Sequence, residues 1–163
     1  MEVIPFEPTY AGAVLDLVVS IQRGEFGLDI TSAQQPDLHD IPGFYRNGCG
    51  DFWIAVEDGR VVGTIALLDI GDRQGALRKM FVHRDVRGPA AGTASRLLEA
   101  LLAHAGRAAL RELFLGTTER FVAAHRFYRK HGFAEIDRRD LPPAFPVMHV
   151  DTRFFHRVVG AAP

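Results

Sequence analysis

A loop of very small residues in the middle of the chain has the composition of a phosphate-binding turn. The segment VHRDVRGPAAGTASRLLEALL, residues 82–102, ends a strand pattern and begins a helix pattern. Unpaired amides at a helix start, together with the positive end of the helix dipole, bind anions. Arg87 adds a fixed positive charge that suits phosphate oxygens. The small residues that let a phosphate approach the backbone are Gly88, Ala90, Ala91, Gly92 and Ala94.

Other nucleotide-binding motifs do not fit this loop. No Lys-Ser or Lys-Thr pair follows Gly92, so the loop is not a nucleoside triphosphate P-loop. No G-x-G-x-x-G occurs, and the preceding strand belongs to a meander rather than to the first unit of a dinucleotide fold. From the loop alone, an ordinary glycine-rich turn without a ligand stays open as the alternative.

The elements before the loop form an antiparallel meander. Residues 51–57 (DFWIAVE) and 61–70 (VVGTIALLDI) are rich in β-formers and flank Asp58-Gly59, a favoured pair for a two-residue hairpin turn. A second turn at residues 71–75 leads to a third strand at 76–82. Upstream, the sequence predicts a short strand at 2–6, a helix from an N-cap at Thr9, and a long connection over 24–50 with one or two short helices.

The elements after the loop predict a crossover. A helix over about residues 92–107 leads to a buried strand at 112–116, and a second helix carries Phe121, Ala124, Phe127 and Tyr128 on one stripe. Gly132 stands where a C′ glycine ends that helix. Strands at 133–136 and 147–155 are expected to complete the sheet. Because a helix joins the strands at 76–82 and 112–116, these strands are predicted to be parallel neighbours in a mixed α/β fold.

Composition narrows the class of protein. The 163 residues, 47% of them hydrophobic, predict one globular domain over residues 1–163. A net charge of −1 argues against a general nucleic-acid binder, and no apolar run approaches the about 20 residues of a membrane span. The start MEVIPFEPTY lacks a basic signal region, and the single cysteine, Cys49, fits a reducing compartment. We therefore expect a cytoplasmic protein without nucleic-acid or membrane partners.

Two motifs occur in a fixed order along the second half of the chain. Arg87-Gly88 opens the loop and Gly92-Thr93-Ala94 ends it, whereas Ala124 and Tyr128 have A-x-x-x-Y spacing and precede Gly132-Phe133. From about residue 51 to 137 this order resembles the GNAT superfamily of acetyl-CoA-dependent N-acetyltransferases. That family binds the pyrophosphate of coenzyme A on an R/Q-x-x-G-x-G/A loop after its fourth strand. The resemblance implies a mostly antiparallel sheet of about six to seven strands, a parallel βαβ crossover at its centre and about four flanking helices.

Two departures from the family pattern affect the predicted site. The loop between Arg87 and Gly92 is two residues longer than the common pattern, although an ungapped alternative takes Ala90 and Gly92 as the two small positions. The asparagine often found three residues before the helix alanine is Phe121 here. A polar contact to the pantetheine arm is then absent or comes from another group.

The resemblance implies that an acetyl group moves from acetyl-CoA to a primary amine by direct attack in a ternary complex. A small-molecule amine is the favoured acceptor over a protein amine. Tyr128 is the candidate catalytic residue near the departing sulfur, with a plain buried aromatic as the structural alternative. A phenol pKa of about 10 lies above a thiol pKa of about 8.5, so donation of a hydrogen bond is as consistent as full proton transfer. The expected cofactor-binding residues are Met80, Phe81, Val82, Arg87, Gly88, Ala90, Ala91, Gly92, Thr93, Ala94 and Ser95.

The general base and the acceptor site are less well defined. The base candidates are Glu25, Asp69, His83, His125 and Asp151. His149 and Asp151 lie two apart on the predicted last strand and would share a face. The acceptor groove is expected at residues 24–40 and 138–155, where acids suit a cationic amine and aromatics suit an apolar body, although surface acids and packing aromatics explain them equally well. These residues are Glu25, Asp29, Asp37, Asp40, Phe26, Phe145 and Phe154.

Three further expectations concern cofactors, assembly and function class. Seven histidines occur without paired Cys/His spacing or an H-E-x-x-H motif, so no metal site is predicted. Homodimers are frequent in families of this kind, but no sequence feature decides the oligomeric state. The alternative from another function class is a non-catalytic acyl-CoA-binding or sensing module that kept the loop and lost turnover.

Overall fold

One seven-stranded mixed sheet forms the centre of the computed structural model, which describes residues 1–160. The strand order is β1-β2-β3-β4-β5-β7-β6, and β4 and β5 are its parallel pair. The strands are β1 (Glu2–Pro5), β2 (Asp51–Glu57), β3 (Arg60–Asp69), β4 (Gln74–Val82), β5 (Glu112–Thr117), β6 (Ala134–Ile136) and β7 (Arg153–Val158). The predicted mostly antiparallel sheet with a central parallel crossover is confirmed.

Four α-helices flank the sheet. They are α1 (Ala11–Val19), α2 (Ile41–Tyr45), α3 (Thr93–Arg107) and α4 (Val122–Lys130). A π-helical segment, Ser20–Glu25, continues α1, and the long connection to β2 holds 3₁₀ turns at Ser32–Gln34 and Pro36–His39 in addition to α2. Within the described residues 1–160, none of the helices is both long enough and apolar enough to cross a bilayer.

The meander follows from its turn residues. Asp58 and Gly59 both have positive φ, 51° and 76°, as a tight hairpin turn whose twist matches its strands requires. Period-two alternation then divides β2 between two cores. Trp53 and Ala55 pack with Leu97, Leu98 and Leu101 of α3, whereas Phe52 and Ile54 pack with Val14 and Val18 of α1 on the opposite face.

Three local predictions are wrong. Thr9 does not cap the first helix: it lies inside a 3₁₀ turn, Pro8–Tyr10, and Tyr10 holds the N-cap position of α1 without a side-chain bond. The last strand begins at Arg153 rather than at 147, because residues before it fold into a turn closed by the Asp151 amide and the Met148 carbonyl. His149 and Asp151 therefore do not share a strand face.

Candidate active site

A cavity of about 1030 Å³ opens where the two parallel central strands diverge. β4 pairs with β5 only from Gln74 to Ala76, whereas its pairing with β3 continues to Val82. On the side facing β5, the backbone from Leu77 to Val82 therefore has no strand partner. This is the part of the chain, Met80 to Val82, that was expected to bind an extended pantetheine arm, and all three residues line the cavity.

A bulge in β4 sets the direction of the side chains at this opening. Lys79 has a φ of 52°, and the register with β3 skips between Thr64 and Ala66. The Thr64 hydroxyl donates to the Lys79 carbonyl at 2.6 Å and is fully buried, which holds the bulge in place. Because a bulge interrupts the alternation of side chains, the consecutive residues Arg78 and Lys79 both line the cavity.

The loop before α3 presents free amides at the other end of the cavity. Gly92 is the N-cap of α3 and lies in the left-handed region at φ 67°. As a glycine it supplies no side chain to cap the helix start. The first hydrogen bond of the helix runs from the Arg96 amide to the Gly92 carbonyl at 3.0 Å. The amides of Thr93, Ala94 and Ser95 therefore have no acceptor within the helix. Gly88, Gly92, Ala94 and Ser95 line the cavity, so this corner fits the diphosphate of coenzyme A.

The extra loop residues form a turn of their own. The Gly92 amide donates to the Gly88 carbonyl at 3.2 Å, which places Pro89, Ala90 and Ala91 outside the helix start. Gly92-Thr93-Ala94 then opens the helix. The register of the loop amides on the diphosphate stays a prediction.

The Arg87 side chain already has protein partners. Its guanidinium donates to both oxygens of the Glu25 carboxylate, with a distance of 2.8 Å for one of the two bonds, and its Nε donates to the Val82 carbonyl at 2.8 Å. This ion pair lowers the pKa of Glu25. Arg87 lines the cavity, and its predicted contact with phosphate stays a prediction.

Tyr128 lies deep in the cavity wall. The residue is 4% exposed and packs against Phe133 and Phe155. Its hydroxyl makes no hydrogen bond within residues 1–160, and because no fully buried side-chain oxygen there lacks a partner, the hydroxyl is open to the cavity that the residue lines. Burial, followed by the nearby charge of Asp151, raises its pKa well above the usual value of a phenol. Tyr128 is therefore a neutral donor with an unused hydrogen bond.

Asp151 is the carboxylate that the structure brings to the same place. It lies over Gly116 of β5, where an added Cβ would come within 2.5 Å of its Oδ2, so only glycine fits beneath it. The Met148 amide donates to Oδ2 at 2.9 Å. Burial raises the pKa of Asp151, against the opposing effects of the Met148 amide, Arg78 and Lys79. Asp151 is thus a partly desolvated carboxylate on the cavity wall.

The other base candidates are engaged elsewhere. Glu25 pairs with Arg87, and Asp69 accepts hydrogen bonds from the amides of Cys49 and Gly71 at 3.0 and 2.8 Å. His83 caps a 3₁₀ turn by accepting from the Asp85 amide. His125 lies against the Thr118 carbonyl at 2.9 Å, and burial lowers its pKa. Of the five candidates, Asp151 is the one on the cavity wall.

The cations beside the acceptor end of the cavity were missed from the sequence. Arg78 and Lys79 have side chains only 11% and 5% exposed, and both flank the Asp37 carboxylate. Asp37 is 2% exposed and also accepts from the Tyr45 hydroxyl at 2.6 Å, so it is not free to bind an amine. Two adjacent basic residues in a strand with buried neighbours were the available signal, since one of them had to point inward.

An aromatic cluster stands where the family asparagine was expected. Phe121 packs edge-on against Phe26, with ring centroids 4.7 Å apart, and against Phe81 at 6.1 Å. All three rings line the cavity. The position of the family asparagine is therefore apolar in this chain. Within residues 1–160, no group of three His, Cys, Asp or Glu side chains is arranged to hold a metal ion.

Comparisons with known proteins agree with this geometry. An acetyltransferase of the GNAT family from Staphylococcus aureus shares 34% identity at a TM-score of 0.94, over 98% of this chain and 99% of that one. An acetyltransferase from Streptococcus agalactiae shares 33% identity at a TM-score of 0.91, over 96% and 97% of the two chains. Human N-acetylaspartate synthetase is 35% identical over 132 residues, which are 78% of this chain but only 42% of that protein's length.

The match extends to the family as a whole. The acetyltransferase (GNAT) domain matches residues 48–135, which run from the start of the meander through the loop and both helices of the crossover half. The diverging strands, the glycine-capped helix and the buried tyrosine all fall within this range. The chain therefore belongs to the GNAT family of acetyltransferases.

Proposed function

We propose that the protein transfers the acetyl group of acetyl-CoA to the primary amine of a small molecule, by direct attack in a ternary complex. The observation that carries the proposal is the single cavity wall that joins free helix-start amides, unpaired strand backbone and the Tyr128 hydroxyl. The amides of Thr93 to Ser95 would hold the diphosphate, and the open backbone of Met80 to Val82 would bind the pantetheine arm. When bound, acetyl-CoA supplies an acetyl thioester that an amine can attack.

Asp151 is placed to manage the proton of the amine. An amine with a pKa near 10.4 is neutral in only about one molecule in 2,500 at pH 7, so a base must collect its proton before attack. A carboxylate whose pKa is raised by burial is a better base than a solvated one. Its position over Gly116, where β5 leaves β4, puts it on the same wall as Tyr128.

We assign Tyr128 to the departing sulfur. Its raised pKa makes full transfer of the proton to a thiolate unfavourable, so we assign it donation of a hydrogen bond. Because the hydroxyl has no other partner in the described chain, the donor is available without breaking an existing bond. A fixed donor at a site of developing charge stabilises the transition state without reorganisation.

The size of the acceptor also follows from the cavity. Phe26, Phe121 and Phe145 line the cavity, and Arg120 Nη1 donates to the carbonyls of Phe26 and Gly27 at 3.0 and 3.1 Å. These contacts join two segments that line the cavity, and we propose that they leave room for an acceptor of small-molecule size and not for an extended peptide. The relative named for N-acetylaspartate supports a small acceptor as well.

The proposal is tested by following thiol release from acetyl-CoA with a panel of small primary amines and with lysine-containing peptides. We expect turnover with at least one small amine and a lower kcat/KM for every peptide. Thermal stabilisation by acetyl-CoA without thiol release on any amine would instead identify a non-catalytic acyl-CoA sensor, since a ligand at 100 times its Kd adds about 2.7 kcal/mol.

A further inference from the structure

Arg78 is a half-buried cation with few polar contacts to the protein. Its side chain is 11% exposed, and its guanidinium donates to the Met148 sulfur at 3.4 Å and lies 4.0 Å from an Asp37 oxygen, which is beyond hydrogen-bond length. The Phe44 ring lies under the guanidinium, with 5.5 Å to the centroid. A guanidinium carries five N–H donors, and within residues 1–160 no oxygen accepts from those of Arg78. Within residues 1–160 no fully buried side-chain nitrogen lacks a partner, so the unused donors of this guanidinium are open to the cavity, where an anionic ligand can accept from them.

Lys79 adds a second cation that its neighbours only partly balance. Its Nζ donates to Gln35 Oε1 at 2.8 Å and lies 3.5 Å from Asp37. Gln35 is fixed by reciprocal amide bonds with Gln22 at 2.9 and 3.0 Å, so this shell is rigid. Burial lowers the pKa of Lys79 to about 8. Arg78 and Lys79 thus share one internal carboxylate, Asp37, and the pair carries an excess positive charge at neutral pH.

A carboxylate stands across from this cation pair. Met148 connects the two groups, because its sulfur contacts the Arg78 guanidinium at 3.4 Å while its amide donates to Asp151 at 2.9 Å. The charges of Arg78 and Lys79 act on Asp151 directly, since both lower the pKa of its carboxyl group against the effect of burial. An α-amino acid carries a carboxylate and an amine, whose charges are complementary to these two groups.

We infer that the acceptor is an amino acid or another small amine with a nearby carboxylate, and that this carboxylate binds Arg78 and Lys79 while the amine faces Asp151 and Tyr128. The inference rests on the proposed function and adds the class of acceptor to it. A polyamine does not fit, since its additional cations would meet Arg78 and Lys79 instead of an anion. Like charges placed together in a desolvated site oppose binding.

The test compares matched acceptors that differ only at the carboxylate. Each L-amino acid is assayed for thiol release with acetyl-CoA beside its own carboxamide and the amine left after decarboxylation. We expect kcat/KM for at least one acid to exceed that of its amide by about ten- to hundredfold, the usual effect of hydrogen bonds to a charged group. Equal rates for the acid and the amide, or faster rates for the amide, would overturn the inference and leave the N-acetyltransferase proposal standing.

Variants of Arg78 test whether this residue causes the preference for an acceptor with a carboxylate. Arg78→Met should lower kcat/KM for the acid at least tenfold and leave that of the amide within about twofold, because an amide never used the charge. Arg78→Lys should recover part of the loss, and Arg60→Met, at an exposed hairpin position, should change neither value. Equal losses for acid and amide in Arg78→Met would show a structural role instead. Failure to acetylate any acid, amide or amine contradicts the proposed function itself.

Discussion

Arg87 and Glu25 join the loop before α3 to the segment that follows α1. The Arg87 guanidinium binds both oxygens of the Glu25 carboxylate, which ends the π-helical extension of α1. The carbonyls of the next residues, Phe26 and Gly27, accept hydrogen bonds from Arg120, and both Phe26 and Arg120 line the cavity. A cation of the loop expected to bind diphosphate therefore also holds a segment of the cavity wall. Diphosphate and Glu25 would compete for the same guanidinium.

Substitutions at this ion pair should change coenzyme A binding in opposite directions. Arg87→Ala should weaken coenzyme A binding about tenfold or more, because it removes a charged hydrogen bond to phosphate. Glu25→Gln should strengthen it severalfold by releasing the guanidinium. Calorimetric titration with coenzyme A and with pantetheine measures both effects.

Pantetheine is the matched ligand here, since it lacks the diphosphate. Its affinity should be unaffected by either substitution, and Arg60→Ala should bind both ligands as the unchanged protein does. Equal losses for coenzyme A and pantetheine in Arg87→Ala would remove Arg87 from the phosphate role.

Removing the Tyr128 hydroxyl should lower turnover without destabilising the fold. The hydroxyl has no hydrogen-bond partner in the described chain, so Tyr128→Phe breaks no internal bond and keeps the ring contacts with Phe133 and Phe155. We expect kcat to fall about 10- to 100-fold, as for loss of one transition-state donor, with Tm within about 2 °C. A normal kcat in a folded Tyr128→Phe variant would make the residue a core aromatic only.

Most of the sheet could be predicted because its signals are local. The Asp58-Gly59 turn, the apolar stripe of α3 and the C′ glycine at 132 each specify an element within a few residues. The start of the last strand could not, because Val147, Met148 and Val150 fit a strand pattern although tertiary contacts hold them in a turn. There the His149 ring binds the Asp29 carbonyl at 2.9 Å and Asp151 seats over Gly116, which holds the segment in a turn.

The parts of the candidate site that are formed by backbone amides could be predicted from the sequence. The parts that depend on side-chain contacts could not. Small residues at a helix start indicate free amides whatever surrounds them, so the loop was found. The roles of Asp37 and Asp151 depend on distant strands: Asp37 was expected to bind an amine and is instead enclosed by Lys79 and Tyr45. The β4 bulge that turns Arg78 and Lys79 inward has no sequence signal of its own.

Asp151→Asn should raise Tm at neutral pH while it lowers turnover. Burial raises the folded-state pKa of Asp151, so the folded protein loses stability relative to the unfolded chain as pH rises from near 3.8 through that raised pKa. The asparagine variant keeps an acceptor for the Met148 amide and avoids this cost. Its Tm should exceed that of the unchanged protein at pH 7, by a margin that shrinks toward pH 4, while kcat at pH 7 falls at least tenfold.

The exposed acid Asp16 on α1 provides the control for this measurement. Asp16→Asn should leave the pH dependence of Tm and the turnover unchanged. An Asp151→Asn protein that keeps full turnover would mean that another group collects the amine proton.

Removing only Lys79 from the buried Lys79–Asp37 pair should destabilise the fold more than replacing both residues. Lys79→Met leaves Asp37, 2% exposed, without its lysine, and loss of one partner of a buried pair destabilises by about 3–5 kcal/mol. Adding Asp37→Asn removes the stranded charge and should restore more than half of that loss, because the amide can still accept from the Tyr45 hydroxyl. Urea unfolding of both variants measures the difference, and a double variant no more stable than Lys79→Met would contradict the pairing.

The helix that carries Tyr128 ends in a glycine capping motif whose contribution to stability can be measured. The Gly132 amide donates to the Arg129 carbonyl at 3.2 Å and the Phe133 amide to the Tyr128 carbonyl at 3.0 Å, with Gly132 at φ 88°. An added Cβ would meet only ordinary contacts, the nearest at 3.6 Å, so Gly132→Ala should destabilise through the backbone alone, by about 1–2 kcal/mol. Gly106→Ala, exposed in α3 with nothing within 4 Å, should stabilise by about 0.5–1 kcal/mol. Urea unfolding should therefore give changes of opposite sign for the same substitution, and equal signs would mean that conformation at Gly132 does not hold this helix end.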